Sequence, residues 1–177
     1  MLGDETSKPR LSLEDVAQFA KTVTLEDGYH RPTVIVEGAL QVVATQIENV
    51  APTHEGRAQQ MFMLGAVLAE RSELGVLQQV FFITEAWMSI ATKENPPRIL
   101  PSQDPQRKEI LAVSRMTFLP PQTEMVIYEM KRDSEGKLVS LEDIDRQLAS
   151  ENEMQAESPL LEAFAIGFLG NALKPND

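Results

Sequence analysis

No cysteine occurs in this 177-residue chain. That absence removes disulfide frameworks, thiolate-bound zinc, iron–sulfur clusters and thiol nucleophiles together. Histidine is almost as scarce: only His30 and His54 occur, far apart and without the H-x-x-x-H, H-E-x-x-H or H-x-H spacing that gathers a metal. Neither G-x-G-x-x-G nor G-x-x-x-x-G-K-[ST] is present to cradle phosphates, and no G-x-S-x-G elbow supports a serine nucleophile. No cofactor and no metal is therefore expected. One mixed set, His30 with Glu37 and Glu85, would form only if strands near 33–37 and 80–88 are neighbours.

Positive charge is also short. Sixteen Lys and Arg stand against 27 Asp and Glu, a formal charge of −11 and a pI near 4.7. Such a surface repels phosphate backbones and anionic lipid, so neither nucleic acid nor membrane is an expected partner. The excess is uneven: residues 133–177 hold 10 acidic and 3 basic side chains, net −7, leaving 17 and 13, net −4, for residues 1–132. The body of the chain is thus balanced enough to hold a local anion site. Long apolar runs are missing too; the densest, Val80-Phe81-Phe82-Ile83, is far below a membrane span. Met1-Leu2-Gly3-Asp4-Glu5 has no basic or apolar leader pattern, and a cytoplasmic location is expected.

What is present reads as one α+β unit: residues 1–10 flexible, 11–149 a single domain, and 150–177 an acidic hinge with a C-terminal amphipathic helix, docked on the domain or on a second subunit. Ser12 with Glu14 and Asp15 marks a helix start, and the spacing of Leu13, Val16, Phe19, Ala20 and Val23 predicts a helix over 12–24, with Gly28 ending the connection. Thr33–Glu37 and Leu40–Val50 predict a hairpin turning at Gly38-Ala39. Pro52-Thr53 opens a helix with Ala58, Met61, Phe62, Gly65, Leu68 and Ala69 on one face and Gly75 as its closing residue; this helix is expected to cover the sheet, Gly65 allowing close approach. Apolar residues on both alternations over 78–91 predict a central strand covered on both sides. Two strands, 109–118 and 123–132, flank the turn at 119–122, and a short edge strand follows at 137–139. Ser140-Leu141-Glu142-Asp143 reads as another helix start, and Ser158-Pro159 opens the last helix. The expected sheet is antiparallel or mixed, of about five strands, in the order α-β-β-α-β-β-β-α-α.

Residues 93–108 carry four prolines, which forbid both helix and ladder and make this loop the clearest irregular feature. Before it, Glu85 is the odd residue of an apolar strand, because an ionised carboxylate there must pair, protonate or line a cavity. Arg107 is its natural partner. One reading makes Glu85, with Asp104 or His30, an acid/base or ligand set and Arg107 an anion stabiliser, as in a small hydrolase. The other makes Glu85 a structural acceptor and Trp87 a core residue. Trp87, Arg98, Ser102 and Arg107 are the candidate ligand-binding residues for a small anion. Ser102-x-Asp104-Pro105 also reads simply as an Asx or Ser/Thr turn.

The methionines, Met61, Met63, Met88, Met116, Met125 and Met130, suit core filling or an adaptable groove. Phe164 and Phe168 on the last helix would be buried either in their own chain or in a homodimer. The favoured function is a non-catalytic binding or assembly module near the proline loop, with the hydrolase as its rival.

Overall fold

The computed structural model describes residues 10–89, 100–144 and 158–172. Among these residues six antiparallel strands form one sheet, with three α-helices packed on it. The strands are β1 Thr33–Gly38, β2 Val42–Gln46, β3 Leu77–Met88, β4 Lys108–Phe118, β5 Pro121–Arg132 and β6 Leu138–Asp143, and they lie in the order β2-β1-β3-β4-β5-β6. The helices are α1 Leu13–Asp27, α2 His54–Ala69 and α3 Pro159–Ala172. The α+β class therefore stands, and the short edge strand expected at 137–139 is the sixth strand, running on to Asp143.

α1 lies on one face. Ser12 caps it by accepting the Asp15 N–H at 3.0 Å, and Gly28 closes it at φ +80°, a conformation that favours a residue without Cβ. Its small residues Ala17 and Ala20, with Val16, meet Phe81, Ile83, Leu111, Val113, Tyr128 and Met130. The opposite face carries Val34, Val36, Val80 and Phe82 under Met61 and Leu68 of α2 and Leu161, Phe164 and Phe168 of α3. β3 thus feeds both cores through alternate side chains, as its doubly apolar pattern requires. Burial holds only to Ile83; from Thr84 onward the strand is half-buried or exposed.

α2 and α3 cross at glycine. A Cβ on Gly65 would overlap the Phe164 carbonyl, and one on Gly167 would overlap that of Phe62. Gly65 therefore permits close approach to a helix rather than to the sheet. Phe62, expected on the buried stripe, is exposed. Phe164 and Phe168 are buried within their own chain, and α3 turns Ile166 and Leu169 outward.

Two further expectations are corrected. Gly75 does not close α2, which ends at Ala69 with Glu70 as its C-cap; it follows a 3₁₀ turn at Ser72–Leu74, at φ +69°. Ser140–Asp143 is strand, not a helix start. A register shift between Lys131 and Arg132 sets Leu138 and Leu141 both inward, so a bulge produces the three-residue spacing that on paper resembles a helix. The expected helix beyond 144 and the acidic hinge lie outside the described residues, as do residues 1–9.

Candidate functional site

The candidate residues gather where β3 and β4 run past the end of α1. Glu85, Trp87, Glu109 and Leu111 share the α1 face, with Glu85 opposite Leu111 and Trp87 opposite Glu109. Glu85 does not reach Arg107. Its Oε1 accepts the His30 backbone N–H at 2.5 Å, so the carboxylate fixes the loop that leaves α1. Burial raises the Glu85 pKa; the His30 N–H opposes that rise, Glu109 adds to it and Arg132 opposes it. His30 Nδ1 lies 2.7 Å from the Arg31 carbonyl, which can only accept, so Nδ1 carries the proton. Burial lowers the His30 pKa, against the pull of that carbonyl and of Asp27.

The guanidinium near Glu85 is Arg132. It grips Glu109 through two bonds of 2.8 Å and donates to the Gly28 carbonyl at 3.1 Å and the Gly136 carbonyl at 3.3 Å. Sequence reasoning missed both Arg132 and Glu109. The available signal was phase: Glu109 continues the inward set Leu111 and Val113, and Arg132 extends that of Tyr128 and Met130. Charged residues in phase with a core stripe call for each other.

Arg107 takes a different place. Its guanidinium lies over the Trp87 ring, 4.4 Å from the centroid, and Nη1 donates to the Ser102 carbonyl at 2.8 Å. Among the described residues no carboxylate forms an ion pair with it. Trp87 is 46% exposed, so it forms a platform rather than core filling. Beside it, a 3₁₀ turn at Pro101–Gln103 leads into an Asx turn in which Asp104 accepts the Gln106 N–H at 2.8 Å. The nearby Ser89 hydroxyl, then that N–H, draw the Asp104 carboxyl below its ordinary range, with burial opposing them and the Arg107 charge adding to the pull. Arg98 lies outside the described residues.

The structure thus joins His30 with Glu85, and Trp87 with Arg107, Ser102 and Asp104. The mixed metal set does not form: Glu37 sits opposite Gln79, six residues along β3 from Glu85, or about 20 Å. Glu37 instead accepts from Gln79 Nε2 at 2.5 Å and from the Leu11 N–H at 3.2 Å. Among the described residues no group of three metal-ligating side chains assembles, and no helix is long and apolar enough to cross a membrane. An open cleft of about 560 Å³ lies toward the other face, lined by Gln46, Ile47, Ala51, Gln60, Met63 and Leu64 among others. None of the acid/base candidates borders it. No protein-family model, curated protein or solved structure matches the chain.

Proposed function

We propose that the protein works by binding and assembly rather than by catalysis, and that the Trp87–Arg107 platform takes a small anion, a carboxylate or a phosphate. One observation carries the reading: Arg107 lies over an exposed indole, with one arm fixed to Ser102 and, among the described residues, no carboxylate in an ion pair with it. A planar cation positioned in this way has little further freedom to lose on binding an oxyanion. The hydrolase reading is weaker. Glu85 already serves a backbone amide, His30 turns its Nδ1 proton to a neighbouring carbonyl, and neither faces the cleft. Among the described residues, the C-terminal helix offers a homodimer the exposed Ile166 and Leu169, since Phe164 and Phe168 are used internally. A cytoplasmic setting, resting on composition alone, belongs to the same proposal.

Calorimetric titration with inorganic phosphate and with succinate tests the platform. Saturable heat is expected from the native protein and from Glu85→Gln, and none from Arg107→Gln. Binding that survives Arg107→Gln, or that depends on Glu85, overturns the reading.

A further inference from the structure

The two edges of the sheet are built differently. β6 carries Glu142 and Asp143 and is bent by its bulge, devices that keep an edge from pairing. β2, Val42-Val43-Ala44-Thr45-Gln46, is the one described strand without an ionisable side chain, and its pairing with β1 is regular. The Gly38 N–H bonds to the Gln41 carbonyl and the Ile47 N–H to the Pro32 carbonyl. In an antiparallel ladder these bonds turn Val43 and Thr45 toward β1 and leave Val42, Ala44 and Gln46 presenting N–H and C=O outward. Among the described residues nothing pairs with that outward row. Exposed apolar side chains flank it: Leu40 is 63% exposed, Val42 46% and Met63 53%.

We infer that β2 pairs antiparallel with β2 of a second copy of this chain, about a twofold axis at Ala44. The strand is self-complementary. That register sets Ala44 opposite its own copy and Val42 opposite Gln46, so no like charges meet across the ladder in a chain of net charge −11.

This interface deepens the assembly half of the proposed function. It is scored apart from the anion platform, because Arg107→Gln leaves β2 untouched. The test uses full-length chain and exploits the absence of cysteine. Ala44→Cys places two cysteines in a hydrogen-bonded pair with Cα atoms about 5.5 Å apart, within disulfide reach. Mild oxidation is expected to give a covalent dimer, whereas Val139→Cys on the β6 edge stays uncrosslinked. Light scattering across a dilution series is expected to show a dimer for the native chain and a monomer for Ala44→Lys with unchanged circular dichroism. A native monomer throughout the series, a dimer indifferent to Ala44→Lys, or a dimer that Cys at position 44 fails to trap would each overturn the inference.

Discussion

The two faces of the sheet hold their helices by different means. On the α2–α3 face the contact is apolar and shape-driven: Phe164 and Leu161 are fully buried, and two glycines let the helix backbones touch. On the other face α1 buries Val16, Ala17 and Ala20 with Leu13 packed beside them, a small apolar stripe, and polar contacts fix both its ends. The chain just before it is tied through the Leu11 N–H to Glu37 and the Leu11 carbonyl to Gln79. The chain just after it is tied through the His30 N–H to Glu85 and the Gly28 carbonyl to Arg132. A short apolar stripe gives a helix adhesion but little register, and buried polar groups that must be satisfied supply the register. Glu85, the carboxylate that most resembles a catalytic group in the sequence, is accounted for as one of these anchors.

The sharpest way to break the comparison is to cut each face where it is said to be held. Phe164→Ala opens a cavity in the apolar face and is expected to cost about 3–5 kcal/mol, read from urea unfolding. Glu37→Ala strands Gln79 and the Leu11 amide, and the expected cost is about 1–3 kcal/mol. Hydrogen exchange should place that second loss in the first turns of α1. If Glu37→Ala instead loosens α2 and α3, the division between faces fails. Ser12→Ala removes the α1 cap and is expected to cost about 1 kcal/mol.

The smallest effect is a pH dependence at the far anchor. The folded His30 pKa is lowered, so as pH falls below its ordinary 6.5 the unfolded chain binds the proton first and stability is lost. The folded Glu85 pKa is raised, so stability is lost as pH rises from its ordinary 4.5 through the folded value. Glu85→Gln keeps an oxygen for the His30 N–H and removes the charge, so stability near neutral pH should hold or rise slightly. His30→Gln should flatten the loss on the acid side. Unfolding midpoints followed from pH 4 to 8 check both signs; a large loss on Glu85→Gln at neutral pH would show that the charge itself matters.

Local chemistry made much of this fold legible in the sequence. The Ser12 cap, the hairpin at Gly38 and the double apolar alternation of β3 each follow from neighbouring residues. What escaped depends on partners remote in the chain. Ser140-Leu141-Glu142-Asp143 carries the residues of a helix start, and only the bulge against β5 makes it an edge strand. Nearness in sequence pairs Glu85 with Arg107, whereas antiparallel register carries Arg132 toward it and leaves Arg107 on Trp87. The anion platform is legible as residue types, since Trp87, Ser102 and Arg107 each bring anion-binding or stacking chemistry to one stretch of the sequence. Its geometry is not, because a stack of guanidinium on indole has no spacing rule.

Trp87 is the only tryptophan in the chain, so its emission reports on the platform without any label. Titration with pyrophosphate is expected to change that emission saturably, to do so equally in Glu85→Gln, to fail in Arg107→Gln, and to return the pyrophosphate intact. Emission that stays flat throughout, or pyrophosphate cleaved by the native protein and spared by Glu85→Gln, would contradict the account.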